Sequence, residues 1–172
     1  MESRVRVARH PLHPILVMFP TALLPLLLFM DALLWWTGDA AFWTAGSWVA
    51  IAGVAMTLLA IGAGIPDMMA IPDGHRAHRT GIFHAIVGTT ILVVFVASMW
   101  ARWNAGTDRL VLAGVIDLVG VLLVSVQGWL GAELVYRHHL GVRSTAEGAD
   151  PVALTSSEAP RGARADARRP GV

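Results

Sequence analysis

Residues 110–132 read LVLAGVIDLVGVLLVSVQGWLGA, a stretch whose one charged residue is Asp117. An α-helix rises about 1.5 Å per residue, so a helix of this length spans the roughly 30 Å hydrocarbon core of a bilayer. The apolar residues are continuous rather than alternating, which is typical of a membrane-spanning helix and not of a strand in a transmembrane barrel. This stretch therefore predicts one transmembrane helix.

Three further stretches have the same character, namely residues 15–36, 40–65 and 80–101. The first contains a single acid, Asp31, and the other two contain no Asp, Glu, Lys or Arg. Over the 172 residues, 55% are hydrophobic and only 15% are charged, whereas a soluble domain carries about a quarter charged residues. We therefore expect an all-α integral membrane protein, a four-helix bundle.

Arginine residues predict the orientation of this bundle. One side of the predicted membrane carries most of them, in the N-terminus, the loop between the second and third helices and the C-terminal flank: Arg4, Arg6, Arg9, Arg76, Arg79, Arg137 and Arg143. The positive-inside rule makes that side, with both termini, cytoplasmic. Tryptophans cluster near the other boundary, where an amphipathic ring is favoured: Trp35, Trp36, Trp43, Trp100 and Trp103. We expect a multi-pass protein of the bacterial cytoplasmic (inner) membrane, with the lipid bilayer as its partner and no nucleic acid.

Three regions follow from this layout. Residues 1–9 form a basic cytoplasmic N-terminus, residues 10–142 a four-helix transmembrane domain, and residues 143–172 a tail without apolar periodicity, which predicts a disordered cytoplasmic extension. The first helix is predicted to kink at Pro20 and Pro25, because each proline removes a backbone hydrogen bond. The second is predicted to end at Pro66, followed by a loop from Asp67 to Arg79.

All seven histidines fall next to helix ends on the predicted cytoplasmic side: His10, His13, His75, His78, His84, His138 and His139. Imidazole is costly in hydrocarbon and is the commonest protein ligand of transition metals. The chain has no cysteine, which excludes disulfides, thiolate metal sites and haem attached through Cys-x-x-Cys-His. The gathering of imidazoles on one side therefore predicts a binding site there.

Each of the four helices can deliver a polar side chain to one layer on this side, and bundle cores build metal and cofactor sites in this way. The candidates are His10, His13, Asp67, His84, Glu133 and His138. His10 and His13 share a face if the chain is helical there, but Pro11 equally allows an extended segment. The remaining histidines, at positions 75, 78 and 139, are assigned to the wet interface.

Two kinds of cofactor fit this layer. One b-type haem would use His84 with His13 or His138 as axial ligands, and Glu133 or Asp67 to support them. Glycines near the layer would leave space for the macrocycle: Gly62, Gly64, Gly81, Gly88, Gly128 and Gly131.

A non-haem site is the alternative, in which the six candidates hold Zn or Fe for hydrolytic or oxidative chemistry. The spacing matches no H-E-x-x-H motif. A third hypothesis, which assumes no cofactor, is a structural or partner-binding membrane subunit whose histidines line a wet surface.

Asp31 and Asp117 lie toward the other ends of the first and fourth helices. An acid inside a membrane span is a functional candidate. Asp31 is close enough in sequence to Trp35 and Trp36 to reach the interface. For Asp117, a protonatable role and a role in helix pairing both stay open.

The ordered combination of several segments resembles the bacterial membrane proteins grouped as domain of unknown function 2231. The segments are His10-Pro-Leu-His-Pro14, Phe19-Pro20, the Asp67 segment with Ile71-Pro72, His84 and Gly128-Trp-Leu-Gly-Ala-Glu-Leu-Val-Tyr136 with His138, and the resemblance covers about residues 10–142. It implies a glycine at position 139, where this chain has histidine. Some members of that family are joined to Rieske-type iron–sulphur domains, which implies a redox setting, electron transfer and a redox partner protein.

Overall fold

The computed structural model describes residues 3–141, apart from the side chains of residues 104 and 105. These residues form four long helices, α1 (Leu12–Thr37), α2 (Ala41–Met69), α3 (Arg76–Ala105) and α4 (Leu110–Tyr136). A short 3-10 helix, Gly106–Arg109, links α3 to α4. All four helices are long and apolar enough to cross a membrane. The predicted all-α four-helix membrane bundle is confirmed; the predicted tail, 143–172, lies outside the described residues.

The helices alternate in direction and form a closed ring of neighbours. Each packs against the next in sequence, and α1 also packs against α4. One end of the bundle therefore holds the start of α1, the connection between α2 and α3, and the end of α4. We call this the histidine end, and the end with the α1–α2 and α3–α4 connections the opposite end.

A layer of apolar side chains separates the two ends. Leu24 and Leu27 of α1 pack with Ala50 of α2 and Phe95 of α3, and all four are fully buried. Gly53 of α2 makes room for the Phe95 ring, because a side chain at position 53 would overlap it. Many large apolar side chains instead face outward, as expected for helices surrounded by lipid.

Several helix bounds differ from the sequence prediction. Helix α3 begins at Arg76, inside the predicted loop from Asp67 to Arg79, and α4 ends at Tyr136 and not at Ala132. Helix α2 continues through Pro66 to Met69, so Asp67 lies in its last turn and not in a loop. Proline removes only one backbone donor while keeping a helical φ, and membrane helices tolerate it. Helix α3 likewise continues past the predicted boundary at Ala101, so Arg102 is a helical residue. Helix α1 is unbroken at Pro20 and Pro25, and the kink expected there stays a prediction.

A short hairpin precedes the bundle at the histidine end. Strand β1 (Arg6–Val7) pairs antiparallel with β2 (His10–Pro11), and the residues between them, Ala8 and Arg9, have φ of 48° and 69°. Asp67 holds the chain before the hairpin: its carboxylate accepts from Ser3 Oγ at 2.8 Å and from the backbone N–H of Arg4 at 2.6 Å. The N-terminus is thereby tied to the end of α2.

The residue after the last turn of the bundle also has left-handed backbone. His139 has a φ of 53°, a conformation that glycine adopts without a steric cost. This is the position at which the resemblance implies glycine, and the backbone gives the physical reason for that preference.

Candidate functional site

Two imidazoles meet inside the bundle near the histidine end. His13 lies in the first turn of α1 and His84 lies in the third turn of α3. Their ring centroids are 5.9 Å apart and their planes are inclined at 78°. Both side chains are half-buried. The structure thus brings together one of the two histidine pairs that the sequence suggested.

The orientation of His13 is fixed by the backbone of α2. Its Nδ1 lies 2.8 Å from the carbonyl oxygen of Ala60; a carbonyl can only accept, so Nδ1 carries a proton, and in the neutral imidazole Nε2 has the lone pair. Gly64 allows the close approach, because a Cβ there would lie only 2.8 Å from Nδ1. An imidazole that donates one N–H to a carbonyl and keeps the other nitrogen basic is typical of metal-binding histidines.

His84 is held by an amide of α4. The amide nitrogen of Gln127 lies 3.0 Å from His84 Nε2 and donates to it, which leaves the proton on Nδ1. That Nδ1 and the Gln127 amide oxygen are both buried without a hydrogen-bond partner in the described part of the chain. Buried polar atoms nearly always have a partner, so this corner of the bundle suits a polar or metal-containing ligand.

Small residues line the same corner. A Cβ on Gly131 would lie 3.4 Å from Cε1 of His84, and one on Gly88 would lie 3.1 Å from the Gln127 amide nitrogen. With Gly64, three of the six glycines assigned to this layer therefore border the site. Gly62 and Gly128 face open space, and Gly81 packs against Met68.

The other four candidates for the predicted layer lie elsewhere. His10 is in strand β2, with Nδ1 2.9 Å from the Ala8 carbonyl, and Asp67 binds the N-terminal segment. Glu133 pairs with Arg137 at 2.9 Å. His138 faces His75, with ring centroids 6.5 Å apart. Within residues 3–141 no group of three or more His, Asp or Glu side chains could hold a metal ion.

Gln127 is the residue of this site that the sequence interpretation did not identify. An amide in an apolar span is a signal, since polar side chains in membrane helices hydrogen-bond across helices. Its partner is 43 positions away in sequence, and the rotation of α4 that joins the two is not encoded in an apolar run.

A second polar cluster lies toward the opposite end. Asp31, Arg102 and Asp117 are 4%, 3% and 0% exposed. Arg102 Nη2 lies 2.8 Å from Asp31 and 2.5 Å from Asp117. The expectation that Asp31 reaches the interface is therefore wrong. Its carboxylate turns inward to the guanidinium of Arg102, a residue that the sequence analysis placed in a loop.

Comparison with known proteins adds one relationship. A search of curated proteins and of solved structures finds no match to the chain. The family model described as "Predicted membrane protein (DUF2231)" matches residues 9–144, a range that contains all four helices and both polar clusters. The chain belongs to this family of membrane proteins, as the resemblance indicated.

Proposed function

We propose that the protein is a small redox membrane protein that binds one b-type haem, which His13 and His84 would hold. The observation that carries the proposal is the approach of these two imidazoles, from different helices, to 5.9 Å between ring centroids. Haem needs only two protein ligands because the macrocycle supplies four nitrogen donors itself. A zinc or iron site built from protein alone requires more.

The chemistry of both imidazoles fits haem binding. His13 already donates Nδ1–H to the Ala60 carbonyl, which leaves Nε2 for iron. In His84 the lone pair is on Nε2, where it accepts from the Gln127 amide, so His84 would bind iron through Nε2 in place of that amide. Bound haem would supply one-electron transfer.

The two carboxylates predicted to support the haem ligands have other partners in the structure. Asp67 and Glu133 are engaged with the N-terminal segment and with Arg137, so we propose that the Ala60 carbonyl orients the His13 ligand instead. Arginines concentrate at the histidine end, which favours a haem near the cytoplasmic face of a bacterial inner membrane. A redox partner protein would then exchange electrons from that side.

The test is a reduced-minus-oxidised visible spectrum of the detergent-purified protein, with metal analysis of the same sample. We expect a sharp α-band that is lost in His13→Ala and in His84→Ala. The matched control is His138→Ala, because that ring contacts His75 and not this pair; it should keep the band.

A featureless spectrum from protein expressed with ample haem would contradict the proposal. Zinc or iron in that sample would favour the non-haem alternative, hydrolytic or oxidative, in which further protein ligands and water would join the two imidazoles on the metal. A sample without metal would favour a structural or partner-binding subunit.

A further inference from the structure

The cluster at the opposite end is assembled from all four helices. Asp31 comes from α1, Arg102 from α3 and Asp117 from α4. Helix α2 closes it with uncharged groups: the Trp43 ring lies 4.8 Å from the Arg102 guanidinium carbon, and a Cβ on Gly46 would lie 3.0 Å from Arg102 Nη1. Residues far apart in sequence thus form one enclosed site.

The hydrogen bonds in the cluster are incomplete. One nitrogen of Arg102, Nη2, serves both carboxylates, and its Nε donates to Ser98 Oγ at 3.3 Å. Asp117 Oδ1 and Arg102 Nη1 are buried without a hydrogen bond in the described part of the chain. Asp31 Oδ1 also has no hydrogen bond there, but it lies 2.8 Å from Arg102 Nη2. The site therefore has unused capacity for a bound donor.

The charges are also unequal. Guanidinium stays positively charged in proteins, and two ionised carboxylates beside it leave one negative charge in excess. Of the helices around the cluster, α1 contributes Asp31, α3 Arg102 and α4 Asp117, while α2 contributes the uncharged Trp43 and Gly46. An uncompensated charge in a dry interior is strongly unfavourable, so the cluster requires one more positive charge.

We propose that Asp31, Arg102 and Asp117 form a proton-binding site in which one proton is held on one of the two carboxyl groups. A carboxylic acid is neutral, and its O–H supplies a donor in a cluster where Oδ1 of each carboxyl group has no hydrogen bond in the described part of the chain. A metal cation is disfavoured because the guanidinium already stands between the carboxylates and would repel it. This proton site stands independently of the haem proposed at the histidine end.

Infrared spectroscopy of the full-length protein in detergent or lipid at neutral pH tests the proposal. We expect the carbonyl band of one protonated carboxylic acid in the wild type. Asp31→Asn and Asp117→Asn should each remove it, because the remaining carboxylate is then balanced by Arg102 and ionises. The control is Asp39→Asn, in the exposed turn before α2, where asparagine can keep the 2.9 Å bond to the Ala41 N–H; the band should persist.

Thermal melts in the same buffer would verify that the three variants are folded. The absence of the band in the folded wild type, or its survival in both Asp31→Asn and Asp117→Asn, would overturn the proposal. So would a band that appears only when Na⁺ and K⁺ are replaced by a bulky organic cation, because a metal ion would then occupy the proton's place.

Discussion

Gly64 and Gly62 lie on different faces of α2, and only Gly64 borders an imidazole. A Cβ at position 64 would lie within 2.8 Å of the His13 ring, whereas nothing lies within 4 Å of one at position 62. The two residues are identical in chemistry and differ only in what they face. Replacing each of them with alanine therefore distinguishes a loss of packing at the histidine pair from the general effect of glycine on helix stability.

Gly64→Ala should destabilise the protein by about 1–3 kcal/mol, the usual cost of overpacking, because the His13 ring must give up its bond to the Ala60 carbonyl. Gly62→Ala should be neutral or stabilising, since alanine is favoured over glycine in a helix by about 1 kcal/mol. Thermal melts in detergent would compare them. Equal melting temperatures for the two variants would show that the ring is not confined as described.

The pairing of particular side chains was only partly predictable from the sequence. His13 and His84 could be placed at one end, because span lengths and arginines assign helix ends to sides of the membrane. The partnerships of Gln127 with His84 and of Arg102 with Asp31 could not. They depend on how each helix is rotated about its axis, and a span that is apolar all round carries no periodic signal for that rotation.

Helix ends show what local sequence determines at the scale of the element. Gly38 follows α1 with a φ of 72°, and its N–H donates to the Leu34 carbonyl at 2.8 Å. A left-handed glycine after the last turn is a common helix stop. The spans themselves were predicted well, because apolar length alone decides them. The ends of α2 and α3 were predicted too short, since Pro66 and Arg102 were read as boundaries.

Gly38→Ala should cost about 1 kcal/mol, because alanine is strained at positive φ while a Cβ there meets nothing within 4 Å. Gly74→Ala is the matched control. Gly74 also has open space around its missing side chain, and it is not among the positive-φ glycines. Melting temperatures should fall for the first variant only; a similar fall for both would mean that backbone strain is not the cause.

The whole bundle has two chemically different ends. The histidine end carries the imidazole pair, and the opposite end carries the buried ion cluster, with the layer around Leu27 and Phe95 between them. The alternation of helix directions was predictable from the sequence, because four spans joined by short connections must cross the membrane in alternating directions. Which end faces the cytoplasm rests on arginine distribution alone, so the orientation is open to a direct test.

Because the chain has no cysteine, a single introduced cysteine can be labelled without reaction at other residues. Asp39→Cys, in the α1–α2 connection, should react with a membrane-impermeant maleimide in intact spheroplasts. Gly74→Cys, between α2 and α3, should react only after the membrane is opened, because the positive-inside rule places its end in the cytoplasm. Labelling of Gly74→Cys alone in intact spheroplasts would reverse the orientation.

The contact between Gly53 and Phe95 restricts which substitutions these two positions can accept. The ring fills the space that any side chain at position 53 would need, so a larger residue there collides with it, while a smaller residue at position 95 leaves a void in the layer that joins the helices. Neither change is harmless alone, although together they compensate. The two positions are therefore energetically coupled, and we expect a double variant with a larger residue at 53 and a smaller one at 95 to be more stable than either single variant.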